Sequence, residues 1–273
     1  MSDISSPTHA AIDAAAVGNT LHRLRERSPL VQCLTNNVVM GWTANVLLAA
    51  GAAPAMVDNP REAGEFAAVA DGVLINLGTP QDSTIAAMKV AVTTAADAGT
   101  PWVLDPVAVG GLSWRTGLVP ELIQLEPPAV IRGNASEIMA VAGGSGGRGV
   151  DAIDSPEQAA LPARQLSLGG PVVAVSGEVD HLVHHDRLVR VRNGHPWMTK
   201  VTGVGCALGA LMAAFAGVED DYLLAAVAAT ATLTVAADLA AENARGPGSF
   251  AMNLLDELSL LEPDTLAERV RLA

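Results

Sequence analysis

The sequence of 273 residues contains few aromatic, cysteine and basic residues, and each shortage excludes a class of protein. Aromatic side chains make up only 3% of the chain, which leaves few surfaces on which nucleic-acid bases could stack. The net charge of −13 argues against binding to nucleic acid or to an anionic membrane. Two cysteines, Cys33 and Cys206, are too few for a disulfide framework, so we expect a cytoplasmic protein.

The chain shows no sign of a targeting segment or a membrane span. Residues 1–16 lack the basic region of a signal peptide, and the uncharged stretch 28–57 contains asparagine, threonine and proline, which a lipid-facing helix would not tolerate well. No repeat and no long linker divides the sequence. We therefore expect one domain over residues 1–273, in which residues 1–10 form a flexible N-terminal segment.

Short apolar segments alternate with helical segments through the first two thirds of the chain. Continuous apolar runs of this length are typical of strands that are buried on both faces, as in parallel sheets. The strand-like runs are residues 72–78, 101–107, 128–134 and 171–177, and the helical stretches are residues 60–70, 82–98, 137–142 and 156–168. The alternation predicts an α/β fold with a mostly parallel central sheet and helices on both faces.

The pattern changes after residue 177. Apolar and polar residues alternate over residues 179–194, which predicts an antiparallel hairpin with a turn near residues 185–186. Residues 195–201 then predict a last short strand. Three helices follow, at residues 206–216, 221–244 and 249–260.

Polar, turn-prone segments follow several of the predicted strands. They are Asp105, "IRGNASE" (131–137), "SGEVD" (176–180) and "TGVGC" (202–206). Ligands of open parallel sheets bind beyond the carboxyl ends of the strands. The sequence therefore predicts a single ligand site along this edge.

The segment "TGVGC" places two glycines and a cysteine where a loop becomes a helix. Gly203 and Gly205 let backbone amides approach a ligand, and the helix that follows adds free N–H groups for an anion. A helix N-terminus lowers the pKa of a thiol, so Cys206 could act as a thiolate. The alternative is an ordinary turn with Cys206 as a small buried apolar residue.

Three further residues of this edge have both an ordinary and a functional interpretation. Glu137 completes a capping box with Asn134, or lies at the rim and holds a metal through water. Asp105 forms a turn before a proline, or completes a water-rich Mg²⁺ site with Glu137. Arg132 is a surface arginine, or binds a phosphate with its guanidinium.

Two other polar segments are predicted to have no role in a site. His181, His184 and His185 lie in the predicted hairpin, where strand alternation points His181 and His184 to opposite faces, so structural or solvated roles are expected. The glycine-rich segment 143–149 has no P-loop register and is predicted to be a plain loop.

Four segments together resemble the hydroxyethylthiazole kinase family. They are residues 36–56, 105–110, 131–138 and 190–211, and the resemblance runs in matching order from about residue 20 to about residue 260. It implies a ribokinase-like three-layer sandwich and ATP-dependent phosphorylation of the hydroxyl of 4-methyl-5-(2-hydroxyethyl)thiazole in thiamine biosynthesis or salvage. It also implies a cytoplasmic homotrimer with the thiazole pocket at the subunit contact.

The resemblance also implies roles for residues on the thiazole side. Met56 and Gly203 match the substrate positions of the family, and Asn36 is expected beside the thiazole. Cys206 stands where related sugar kinases carry an aspartate, as a candidate general base that assists while backbone amides dominate. Val204 is a departure, because related sequences often carry threonine or serine between the glycines.

On the nucleotide side, the resemblance implies that Arg132 and Ser176 contact ATP. Asp105 and Glu137 match the acidic groups near Mg²⁺ and phosphate.

Two other functions stay open at the level of the sequence. The first is a different enzyme on the same fold, either a kinase for another small alcohol or an ATP-dependent NAD(P)H-hydrate dehydratase. The second is a non-catalytic oligomer that binds thiazole or nucleotide. The non-catalytic alternative is disfavoured by the presence of Asp105, Glu137 and Arg132.

Overall fold

A computed structural model describes residues 11–143 and 155–273 of the chain. The segment predicted to be flexible, residues 1–10, and most of the glycine-rich segment 143–149 lie outside these described residues. The strands are β1 (Leu30–Leu34), β2 (Ala53–Ala55), β3 (Gly72–Asn76), β4 (Trp102–Asp105), β5 (Val130–Asn134), β6 (Val172–Ser176), β7 (Asp180–His184) and β8 (Arg187–Val191).

Helices surround these strands. The α-helices are α1 (Ala14–Arg27), α2 (Met40–Ala50), α3 (Ala63–Ala67), α4 (Asp82–Ala98), α5 (Ser113–Leu125), α6 (Ala135–Val141), α7 (Pro156–Ser167), α8 (Val204–Ala216), α9 (Tyr222–Glu242), α10 (Pro247–Leu260) and α11 (Pro263–Arg269). A short 3₁₀ helix spans Pro196–Lys200.

The strands form one eight-stranded sheet in the order β2-β1-β3-β4-β5-β6-β7-β8. Neighbouring strands from β2 to β6 run parallel, and β7 and β8 are added antiparallel as a hairpin. The predicted α/β class and mostly parallel sheet are therefore confirmed. Ile75 and the other four residues of β3 are all buried, as expected of a strand covered on both faces.

The two faces of the sheet carry separate hydrophobic cores. Side chains that alternate along β3 divide between them: Leu74 packs with helices α1, α2, α8, α9 and α10, whereas Val73 and Ile75 pack with α3 to α7. This arrangement is the predicted three-layer sandwich. Because both faces are covered, we expect a ligand site at the ends of the strands.

Most predicted elements occur at the expected residues. The four predicted strands are β3 to β6, and the turn of the predicted hairpin contains His185 in a left-handed conformation, with φ 54°. Helices α1, α2, α5 and α11 were not predicted from the sequence. In α5, Gly117 and Pro120 obscure the helical pattern.

The strand predicted at residues 195–201 is wrong, because this segment forms the 3₁₀ helix. Pro196 cannot donate a ladder hydrogen bond, and the Nδ1 atom of His195 accepts from the backbone of Trp197 to cap the turn. The ring of Trp197 packs edge-on against His195 and Phe250. Local capping and aromatic packing therefore replace a strand here.

Helix α9 (Tyr222–Glu242) is long and apolar enough to cross a membrane by length and composition alone. However, 83% of its most apolar window is buried inside the protein. It packs against α8, α10 and α1, so its composition is that of a central core helix.

The close packing of α8 on β3 generates a stability prediction at Gly72. A methyl group here would lie 2.2 Å from the carbonyl oxygen of Ala213 in α8. We expect Gly72→Ala to lower the free energy of unfolding by about 1–3 kcal/mol, the usual range for overpacking a core. Urea denaturation of the variant and the wild type measures this difference.

Gly117→Ala provides the matched control, because Gly117 is exposed in α5 and a methyl group there meets no atom within 4 Å. This change should raise the free energy of unfolding by about 0.5–1 kcal/mol, as alanine favours the helix. Equal effects of the two substitutions would contradict the close packing of α8 on β3.

Candidate active site

The last residues of four neighbouring strands lie side by side at one edge of the sheet. Asn76 ends β3 and is the register partner of Asp105, which ends β4. In the same way Asn134, at the end of β5, is the register partner of Ser176, at the end of β6. The single polar edge predicted from the sequence therefore exists.

Helix α8 begins directly beside this edge. Its N-cap is Gly203, whose φ of 92° is a left-handed conformation that glycine adopts without strain. A Cβ atom at Gly205 would lie 2.9 Å from Nη2 of Arg132, so glycine lets the guanidinium lie against the first turn. The free amides of this turn and the guanidinium therefore face the same space.

A chain of hydrogen bonds joins Cys206 in that turn to the strand ends. The Nδ2 atom of Asn36 lies 3.3 Å from Sγ of Cys206 and 3.0 Å from Oδ1 of Asn76. The Nδ2 atom of Asn76 donates to Oδ2 of Asp105 at 2.8 Å. The network thus connects the thiol to a carboxylate at the end of the neighbouring strand.

Arg132 links the carboxylate to the last residue of β6. Its Nη1 atom lies 3.6 Å from Oδ2 of Asp105, and its Nε and Nη2 atoms donate to Oγ of Ser176 at 3.2 and 3.1 Å. The side chain is only 12% exposed, which is unusual for an arginine. Arg132 is therefore a fixed, nearly buried cation, and its interpretation as a plain surface residue is wrong.

Glu137 serves as the capping residue of α6 and also holds a neighbouring loop. Its Oε2 accepts from the backbone of Asn134 at 2.9 Å, which completes the predicted capping box. Its Oε1 accepts at 3.0 Å from the backbone of Ala108, a non-glycine residue with φ 62°. The carboxylate therefore fixes the strained loop that follows Asp105.

Burial dominates the electrostatics of the site. It raises the pKa of Asp105 to about 7, with Glu137 adding to the rise while Arg132 and Asn76 oppose it. Burial alone would lower the pKa of Arg132, but the surrounding acidic groups raise it overall, so this side chain stays charged.

The expectation of a lowered pKa for Cys206 is wrong. Burial and the nearby Asp105 carboxylate raise the pKa of this thiol, and they outweigh the hydrogen bonds from Asn76 and Asn36 and the charge of Arg132. The proximity of a helix N-terminus is therefore not sufficient to make Cys206 a thiolate. The other thiol, Cys33, is fully buried in β1, where burial raises its pKa to about 12, so it is a core residue.

The residues predicted for the thiazole side fall into two groups. Asn36 and Cys206 belong to the hydrogen-bonded network, and Gly203 packs closely on α2, where a Cβ atom would lie 2.6 Å from Val39. Met56 follows the edge strand β2, is half-buried and packs against the core without a hydrogen bond to the network. Val204 is buried at the first position of α8.

Sequence reasoning missed two buried polar residues beside this site. Asn76 is 1% exposed, and a readable signal exists for it, since an asparagine ends the apolar run "GVLIN". Asp180 accepts from the backbone of Gly177 at 3.1 Å, and burial raises its pKa to about 7 while Arg132 lowers it. In the sequence, Asp180 lies beside a group of three histidines, and nothing there indicates that it approaches Arg132 in the fold.

No group of three or more metal-ligating side chains occurs in the part of the chain that the structure describes. His181 is instead 2% exposed beside Arg190, in agreement with its predicted structural role. Asp105 and Glu137 supply carboxylate oxygens close to Arg132. The Oδ1 atom of Asp105 is buried without a hydrogen-bond partner, so this pair fits a cation that takes few protein ligands and keeps several waters, as Mg²⁺ does.

The sheet order and the helix N-terminus beside its edge are those of the ribokinase-like fold. A ribokinase-like superfamily protein from Enterococcus faecalis shares this fold with a TM-score of 0.63, at 11% identity, covering 95% of this chain and 99% of that one.

The family follows from closer relatives. A model of the hydroxyethylthiazole kinase family matches residues 21–264. The hydroxyethylthiazole kinase of Clavibacter sepedonicus is 61% identical over 256 residues, 93% of this chain and 92% of that one. A hydroxyethylthiazole kinase protein from Pyrococcus horikoshii superposes with a TM-score of 0.87 at 36% identity, covering 94% and 98% of the two chains. The chain belongs to the hydroxyethylthiazole kinase family and is a kinase that phosphorylates an alcohol.

The raised pKa of Asp105 generates a prediction about the pH dependence of stability. An unfolded aspartate has a pKa of about 3.9, so between this value and the folded pKa of about 7 the folded protein binds a proton that the unfolded chain does not. The stability of the wild type relative to Asp105→Asn should therefore increase as the pH falls from about 8 to about 5.

Urea denaturation of both proteins across this pH range measures the difference in the free energy of unfolding. Because Asp180 titrates in both proteins, its contribution cancels in the comparison. A difference that stays constant with pH would contradict a raised pKa at Asp105.

Proposed function

We propose that this kinase transfers the γ-phosphoryl group of ATP to the hydroxyl of 4-methyl-5-(2-hydroxyethyl)thiazole, in thiamine biosynthesis or salvage. The observation that carries the proposal is the meeting of Cys206, Arg132 and the free amides of α8 in one space. On one side of this space, hydrogen-bond donors are available for a phosphate. Asn36 lies on the other side, where an alcohol would bind. The single 1–273 kinase domain and the cytoplasmic location expected from the sequence are part of the same proposal.

Arg132 and the first turn of α8 would bind the phosphates. The guanidinium is kept in place by Ser176 and Asp105, so little side-chain entropy is lost when a phosphate arrives. The amides of residues 203–206 point out of the helix and carry its partial positive charge. Phosphoryl transfer depends mainly on such positioning and charge stabilisation.

Asp105 and Glu137 would hold Mg²⁺ on the nucleotide side. Among the described residues none bonds to Oδ1 of Asp105, and each Glu137 oxygen keeps a lone pair beyond its one backbone hydrogen bond. When bound, the ion would neutralise phosphate charge. The two backbone bonds of Glu137 fix its carboxylate in place before any ligand binds.

Asn36, Gly203 and Met56 would surround the thiazole, with its hydroxyl next to Cys206. Asn36 donates to the sulfur, so the sulfur can accept a proton only through its remaining lone pairs. With its raised pKa, Cys206 assists as a base to a limited extent while the amides of α8 stabilise the transferred group. The hydroxyl proton would pass to Cys206 in its thiolate form, giving the neutral thiol, as the oxygen bonds to phosphorus and the bond to ADP breaks.

A mass-resolved assay tests the proposed reaction. Purified protein with Mg²⁺, ATP and hydroxyethylthiazole should give a thiazole that is heavier by one phosphate, with matching ADP, and a control without thiazole should give neither. Thiazole binding with intact ATP would favour the non-catalytic interpretation. No thiazole binding would instead favour another alcohol or a hydrated nicotinamide nucleotide as the substrate.

In the same assay, Cys206→Ser should lower kcat by about 10²-fold, the lower end of the usual range for general-base assistance. The thermal midpoint should change little, because Cys206 is only partly buried. An unchanged kcat would exclude the base and leave the amides as the source of catalysis. Cys33→Ser serves as the control for the second thiol.

We also propose a homotrimer in which the thiazole pocket lies at the subunit contact. Met56 is half-buried beside the edge strand β2, and the apolar side chains of Val38, just before α2, and of Leu48, within α2, are 70% and 60% exposed. A contact between subunits would cover these surfaces.

Sedimentation equilibrium should give three times the chain mass of 27.8 kDa. Leu48→Glu should shift the mass toward one chain and weaken thiazole binding, whereas Leu168→Glu, at an exposed leucine after α7, should not. A monomeric wild type would refute this assembly.

A further inference from the structure

Asn76 occupies the centre of the hydrogen-bonded network but has no part in the roles described so far. It is 1% exposed at the end of β3, between Asn36 and Asp105. Both neighbours belong to the proposed chemistry, one on the thiazole side and one on the phosphate side. A single side chain therefore connects the two halves of the site.

The backbone of Gly78 fixes the orientation of the Asn76 amide. The N–H group of Gly78 can only donate, and it lies 2.9 Å from Oδ1 of Asn76. The opposite end of the amide is then Nδ2, which donates to Asp105 at 2.8 Å. The oxygen of Asn76 faces the thiazole side and its nitrogen faces the phosphate side.

This orientation determines the direction of the remaining bonds. Because Oδ1 of Asn76 is an acceptor, the group of Asn36 that faces it must be Nδ2, and the same Nδ2 donates to Sγ of Cys206. The sulfur is therefore an acceptor toward Asn36. Its lone pairs and proton are oriented by an amide that Asn76 holds.

The packing leaves Asn36 little freedom to turn away from this arrangement. A Cβ atom at Gly78 would lie 2.6 Å from both Cβ and Nδ2 of Asn36, so the asparagine lies tightly against the turn after β3. On the other side, Asp105 lies close to α8, where a Cβ atom at Gly209 would be 3.4 Å from its Oδ2. Asn76 makes hydrogen bonds to both of these packed groups.

We propose that Asn76 is a positioning residue that aligns the acceptor side of the site, through Asn36, with the phosphate side, through Asp105. The inference rests on the proposed function. Asn76 touches neither substrate. It sets the direction of the hydrogen bonds at both ends, so its loss misaligns the reacting groups.

Two substitutions of Asn76 distinguish the contribution of its amide oxygen from that of its amide nitrogen. Asn76→Asp keeps the shape and the oxygen that accepts from Asn36 and Gly78, but it replaces the neutral donor to Asp105 with a carboxyl group that shares a buried site with the Asp105 carboxylate. We expect kcat to fall about 10–100-fold, as for loss of other supporting hydrogen bonds, while calorimetric thiazole affinity stays within about threefold. Asn76→Ala removes both ends, so kcat should fall by a similar factor and thiazole affinity should also weaken, by about tenfold.

Asn193→Ala provides the matched control for a buried asparagine. Asn193 is 5% exposed and makes its hydrogen bonds to Asp238 and to the backbone of Arg269 and Arg271. Its thermal midpoint should fall as much as that of Asn76→Ala, with kcat and thiazole affinity preserved. This comparison separates positioning from stability.

The outcomes distinguish this inference from the proposed function. A wild type that binds thiazole without phosphorylating it refutes the proposed function, while the calorimetry of Asn76→Ala still tests whether Asn36 is positioned. If both Asn76 variants keep kcat within about twofold, or if Asn193→Ala lowers kcat equally, the positioning role is refuted.

Discussion

The site depends on how closely helix α8 approaches the sheet. At Gly72, Gly205 and Gly209 a side chain would meet the backbone of α8, the guanidinium of Arg132 and the side chain of Leu74 in β3, respectively. Because hydrogen atoms alone occupy these positions, the helix lies directly on β3 and β4 and its first turn reaches the strand ends. The free amides of α8 therefore face the same small space as the buried charges.

The close approach of α8 to the sheet keeps several ionisable groups buried, a position that stability by itself does not favour. Asp105 has no exposed surface and an oxygen without a partner, and burial raises the pKa of both Asp105 and Asp180 to about 7. Arg132 remains charged between them because their negative charge raises its pKa overall. Such groups reduce stability in a core, and they cluster where a protein has to bind charge. The arrangement is consistent with a site that receives phosphate.

The sequence predicts the fold more completely than the site. Largely apolar runs such as that ending in Asn76 identify β3 to β6, because burial on both faces leaves a simple pattern. The 3₁₀ helix at Pro196–Lys200 and the helix α5 escape prediction, since capping and tertiary packing decide them. Within the site, strand ends and glycines indicate Asp105, Arg132 and Cys206. The raised pKa of Cys206 cannot be predicted from the sequence, because it depends on how far α8 and the strands bury the thiol.

Cys206 has a thiol in a site that already contains the negative charge of Asp105. A carboxylate there would already be deprotonated at neutral pH, but it would add a negative charge beside Asp105, in the space proposed for the transferred phosphoryl group. A thiol with a raised pKa stays mostly neutral and avoids that repulsion, so it contributes less to proton transfer. In the proposed reaction, Arg132 and the amides of α8 then stabilise the phosphoryl group. A base that is present mostly in its protonated form would require accurate placement, which the amides of Asn36 and Asn76 would supply in the proposed arrangement.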